Sequence, residues 1–105
     1  MEMNEFKKKL GSLNKEITGL EDERKKLIGQ MEAEHPINRL HGKLVIIRNN
    51  EVPEYFDRFY ISNYTGSLLF VNIQCYTQKK DGTMSKSLRV HYCRFDDLED
   101  KIKEL

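Results

Sequence analysis

Cys93 lies two residues after His91, and a thiol beside an imidazole is the pairing that nucleophilic catalysis uses. Residues two apart on a strand share a face without having to touch, and the sequence implies no third group to orient the imidazole. Glu51, Glu54 and Asp57 are the other crowded set of titratable groups, and paired carboxylates can work as acid and base. Their setting, a polar loop running into a strand, reads instead as solvated surface. The histidines and cysteines lack zinc-ligand spacing, and there is no Gly-rich phosphate loop, HExxH, GxSxG or CxxC motif. The expectation is a chain that is not an enzyme and holds no metal and no cofactor.

What remains is a set of aromatic, cationic and amide residues at alternating positions: Arg58, Tyr60, Phe70, Asn72, Gln74, Tyr76, Arg89 and His91. Rings among guanidinium and amide groups suit single-stranded nucleic acid or nucleotides, through stacking and phosphate neutralisation. They equally suit a protein interface, where Tyr, Phe and Arg are common anchors. The structural alternative is that the rings stabilise a sheet by cross-strand contact or lie beneath a helix. If this face binds, Arg89 and Tyr76 are expected to matter more than the Lys79-Lys80 pair, whose hydrated ammonium groups flank a turn.

Placing those residues on one face requires strands in a particular register. Four candidates, roughly 43–48, 54–62, 68–77 and 84–94, are separated by Asn49-Asn50 with Pro53, by Tyr64-Thr65-Gly66-Ser67 and by Asp81-Gly82. Asp81-Gly82 suits a two-residue type I′ hairpin pairing Lys80 with Thr83. Carried down the strands, that register sets Cys75 opposite Leu88, Ile73 opposite Val90 and Val71 opposite Tyr92 on an apolar face. Gln74 with Arg89, and Asn72 with His91, then fall on the polar face. It also sends Cys75 and Cys93 to opposite faces, so no disulfide between them is expected. For Phe59 and Ile61 to share the core side with Leu69 and Val71, the preceding strand needs a bulge or an odd loop. Leu44-Val45-Ile46-Ile47 is apolar on both faces and belongs in the interior of the sheet or under a cover. Asp96, with Glu99 three residues on, opens a short terminal helix carrying Leu98, Ile102 and Leu105 on one stripe.

The first third has a different period. Met3, Leu10, Ile17, Arg24 and Met31 occupy a positions and Phe6, Leu13, Leu20 and Leu27 occupy d positions of a heptad repeat. A helix packed on its own domain usually shows a third apolar position per heptad, whereas this seam is narrow. At 1.5 Å per residue the helix would span about 50 Å, more than a domain of about 70 residues covers, so another copy of the chain is the expected partner. A long Arg24 side chain at an a position snorkels outward most easily in a dimer. Among g-to-e pairs of a parallel dimer, Glu2–Lys7 is favourable and Glu16–Glu21 repulsive, which leaves orientation open. The helix should stop near Glu34, because Pro36 disfavours helical backbone at His35. Pro36-Ile37-Asn38-Arg39-Leu40, with Gly42 beyond it, reads as a short turn packed by Ile37 and Leu40.

The organisation expected is thus α+β: residues 1–34 a coiled-coil oligomerisation helix, 35–42 a hinge, and 43–105 a small four-stranded antiparallel meander, either an open sheet or an SH3- or OB-like barrel, with a C-terminal helix. Mean hydropathy is −0.70 and no apolar run reaches the roughly 18 residues of a membrane span. The N-terminus shows neither a secretory nor an organellar signal, so a cytoplasmic location and free thiols are expected. Residues 1–34 carry 7 Lys/Arg against 8 Asp/Glu, residues 35–95 carry 9 against 4, and residues 96–105 carry 2 against 5. A basic middle permits an anionic partner without requiring one. The function expected is a non-catalytic homo-oligomeric interaction module whose β-domain binds protein or nucleic acid. The alternative is a small-ligand or nucleotide binder, such as a sequestering or anti-defence accessory protein of bacterial or phage type; an enzyme ranks third.

Overall fold

The heptad region folds as a single helix. In the computed structural model, which describes residues 3–66 and 68–105, α1 spans Met3–Glu34. Glu2 of the Glu2–Lys7 pair and Ser67 of the turn before the third strand lie outside the described residues. The chain divides into two units, one through Met31 and one comprising Glu32–Leu105. Within α1 no residue is buried. Among the described residues no helix is long and apolar enough to cross a membrane.

In the second unit the chain leaves the helix at His35, whose backbone is extended, and Pro36–Leu40 forms a 3₁₀ turn. The His35 side chain caps this turn, its Nδ1 accepting from Ile37 N at 2.9 Å. Ile37 and Leu40 are fully buried, so the turn contributes to the core. Gly42, at φ +77°, makes the left-handed step into the sheet that a side chain would resist.

The sheet has five strands: β1 (Leu44–Ile47), β2 (Glu54–Thr65), β3 (Leu68–Gln78), β4 (Met84–Arg94) and β5 (Ile102–Glu104). Their spatial order, β4-β3-β2-β1-β5, is that of an open antiparallel sheet. The fifth strand corrects the expected count of four, and it shortens the expected terminal helix, which is present. Helix α2 covers only Leu98–Lys101, after a 3₁₀ turn at Phe95–Asp97, and Ile102 turns into extended backbone beside β1. Pairing there satisfies the backbone groups of β1 that an edge position would leave open. β1 accordingly lies inside the sheet, as its two apolar faces require.

The bulge expected in β2 is present. Register shifts between Phe56 and Arg58 and between Ile61 and Asn63 bring Phe59 opposite Ile73 and Ile61 opposite Val71 on the core side. The hairpin register expected for β3 and β4 is off by one. Cys75 pairs with Arg89, Ile73 with His91, and Val71 with Cys93, while Leu88, Val90 and Tyr92 pair with Tyr76, Gln74 and Asn72.

Two local events add up to this slip. Gly82 alone takes positive φ (+86°), whereas a type I′ turn needs both central residues left-handed. Asp81 instead accepts from Thr83 N at 3.0 Å and Thr83 Oγ1 at 2.6 Å, and the loop is three residues long, closed by Lys79 N to Thr83 O at 2.7 Å. β4 then carries extra residues around Ser85–Ser87, where Ser85 Oγ bonds Thr77 Oγ1 at 2.5 Å and accepts from Ser87 N at 3.1 Å. A slip of one residue exchanges the two faces of a strand.

The core lies on one face of the sheet. Val45, Ile47, Phe56, Phe59, Val71, Ile73 and Ile102 form it with Ile37 and Leu40 from the first 3₁₀ turn and Leu98 from α2.

Candidate functional site

Of the residues expected on a common polar face, the register keeps six together: Arg58, Tyr60, Phe70, Asn72, Gln74 and Tyr76. Arg89 and His91 are not among them. They stand on the core side of β4, and Leu88, Val90 and Tyr92 take their places on the outer face. The retained six are linked across strands: Arg58 Nε donates to Gln74 Oε1 at 3.1 Å, its guanidinium sits 5.9 Å from the Tyr60 ring centre, and Asn72 Nδ2 donates to the Tyr60 hydroxyl at 2.9 Å. Tyr92, at 70 % exposure, is the most open ring of the face. A cavity of about 520 Å³ adjoins it, bordered by Ser62, Phe70, Asn72 and Arg94. The outcome is a surface more apolar than expected, on which the Tyr60 hydroxyl and the Asn72 and Gln74 amides are tied into cross-strand contacts.

The displaced residues assemble a second feature. Glu54, at the start of β2, alternates inward with Phe56, and its carboxylate is 1 % exposed. From β4, His91 Nε2 shares a 2.5 Å hydrogen bond with Glu54 Oε1, and Arg89 Nε approaches Oε2 to 3.6 Å, too long for a hydrogen bond. Asn50 Nδ2 donates to Oε1 at 3.4 Å. From β3, Cys75 completes the group: donor atoms of Glu54, Cys75 and His91 all lie within 4.8 Å of one another. Glu54 Oε2 is buried without a hydrogen-bond partner. Burial, with the carboxylates of Glu54 and Asp57 adding to it, pushes the Cys75 thiol up to about 12, so at neutral pH it is a protonated, fully buried sulfur and not a nucleophile.

No family model, curated protein or solved structure matches the chain.

The chemistry is therefore read from the side chains alone. The Cys93–His91 neighbourhood is a shared face, as two-residue spacing requires, but the imidazole turns to Glu54. Cys93 is half-buried, its thiol raised chiefly by that burial and by Asp97 against the pull of Lys101. Cys75 and Cys93 are both free and, contrary to expectation, on the same face, four residues apart along the sheet. The Glu51, Glu54 and Asp57 set is broken up: Glu51 is exposed and Glu54 buried, while Asp57 marks a bulge whose carbonyl accepts from His41 Nδ1 at 2.6 Å. Nothing in the local sequence marks Glu54 as buried. The one legible signal is alternation with Phe56, which places both on one face of β2.

Proposed function

We propose that this chain is a non-catalytic oligomeric interaction module in which α1 pairs with a second copy and the outer sheet face docks a protein. One observation carries the reading. Met3, Phe6, Leu10, Leu13, Ile17, Leu20 and Leu27, all at heptad a or d positions, are between 51 % and 70 % exposed on a helix that buries nothing. Seven large apolar side chains in a single stripe form a patch that water-soluble proteins cover. Gly11, Gly19 and Gly29 each lower helix propensity by up to about 1 kcal/mol, and a Cβ at any of them would meet open space, so no packing within the chain calls for them. A helix of this kind is marginal alone, since helices in proteins draw their stability from a packed face. The a/d stripe is self-complementary, and the occupant is a second copy, with a dimer favoured. Two such copies would present two sheet faces, and paired weak contacts gain avidity.

The outer face favours protein over nucleic acid. The slip exchanges Arg89 and His91 for Leu88, Val90, Tyr92 and Arg94, so one guanidinium replaces another while apolar area is added around Tyr60, Phe70 and Tyr76. A nucleic-acid partner would instead show binding that weakens steeply with salt.

The test is solution mass by light scattering. The wild-type chain should run as an oligomer and the Leu13→Asp/Leu20→Asp variant as a monomer with its sheet intact by circular dichroism. An unchanged mass in that variant refutes the pairing.

A further inference from the structure

We propose that Glu54, Cys75 and His91 form a binding site for Zn²⁺, with Cys75 Sγ, His91 Nε2 and a Glu54 carboxylate oxygen as ligands. The three come from β2, β3 and β4, so no spacing along the chain announces them. Their donor atoms are already gathered within 4.8 Å. Bond lengths of about 2.3 Å to sulfur and about 2.0–2.2 Å to nitrogen and oxygen put tetrahedral zinc ligands roughly 3–4 Å apart, a small contraction from that spacing.

Independent of this gathering, Glu54 Oε2 accepts no hydrogen bond although the carboxylate is 1 % exposed, and its ion-pair contact with Arg89 is a long one. A buried polar oxygen without a hydrogen bond is costly and rare. His91 satisfies only Oε1, and Arg89 stops at 3.6 Å from Oε2. A divalent cation between the three groups would engage this side chain and neutralise two anions, the carboxylate and the thiolate, leaving the imidazole as a neutral third ligand. For Nε2 to coordinate, its hydrogen bond to Glu54 Oε1 is given up and the ring takes the Nδ1–H tautomer by proton exchange with solvent, to which the thiol proton also passes. A thiolate and an imidazole together select zinc over calcium or magnesium, which take oxygen ligands. The site is reached past His91, 17 % exposed, and Arg89, whose side chain is 58 % exposed and free to turn outward as the cation enters. Three protein ligands leave a fourth position for water.

The experiment titrates the chelator-treated, dialysed full chain with Co²⁺ and reads the near-ultraviolet thiolate-to-cobalt absorption. One equivalent per chain should develop the band, and Zn²⁺ should abolish it. Cys93→Ser should retain it, while Cys75→Ala and His91→Gln should lose it with circular dichroism unchanged. If Cys75→Ala does not fold, the wild-type band and its loss in His91→Gln decide. No band in the wild-type chain, or one that survives Cys75→Ala and vanishes in Cys93→Ser, overturns the site.

Discussion

His35 connects the end of the helix to the core through a single ring. Its Nδ1 accepts from Ile37 N, and its edges meet Phe59 at 5.3 Å and Phe95 at 5.2 Å between ring centres. Burial lowers its pKa, Glu99 works against that shift, and Arg39 adds to it. The unfolded chain therefore takes up a proton more readily than the folded one. The stability this histidine supports is complete above its ordinary value of about 6.5 and is lost as pH falls below that value through the lower folded one. The urea midpoint should thus drop between about pH 7 and about pH 5, and His35→Asn, which keeps a local acceptor but does not titrate, should flatten the drop. A fall of equal slope in the variant would show that another group is responsible. Local rules predicted the break at Pro36 and the burial of Ile37 and Leu40. They were silent on His35 and Glu54, because the Phe59, Phe95 and His91 side chains that define those environments arrive from elements 24 to 60 positions away.

At the scale of elements, legibility follows the range of the physical cause. Heptad spacing, strand alternation and the parity clash that demanded a bulge in β2 are patterns within or between neighbouring segments, and all three yielded the right local structure. The β3–β4 register did not, because it is the sum of a turn and a bulge, and each adds whole residues to one strand. Apolar alternation gave false support: Leu88, Val90 and Tyr92 look like a core face but point outward, while the core side of this edge strand carries Arg89 and His91 toward Glu54. Of the terminal stripe, Leu98 and Ile102 are buried but Leu105 is 65 % exposed, and only Leu98 is helical, since an open edge of β1 competes for the segment. The hairpin loop itself is testable. With φ +86° at Gly82 and its carbonyl accepting from the Tyr55 hydroxyl at 2.5 Å, Gly82→Ala should lower stability by about 1–2 kcal/mol in urea unfolding. No loss would mean that the loop relaxes without strain.

For the molecule as a whole, the chain divides into two units with the break at Met31. Open sheet or barrel could not be read, because closure depends on which strands meet at the edges. In the folded chain β1 and β2, β2 and β3, and β3 and β4 pair as neighbours in sequence, whereas β5 closes onto β1, with Ile47 opposite Ile102, 55 positions apart. This joining of distant segments has a kinetic meaning. Contacts between near neighbours form first and a distant closure comes late, after its loop entropy has been overcome. A three-residue strand held by Arg48 N to Lys101 O at 2.8 Å and Leu105 N to Leu44 O at 3.2 Å should also be the first to let go. In native-state hydrogen exchange, the Arg48 and Leu105 amides should exchange through local opening well before those of Ile73 and Phe59, and equal protection would place β5 in the same cooperative unit. The C-terminal strand would then act as a latch that opens and shuts many times within the lifetime of a single folded molecule.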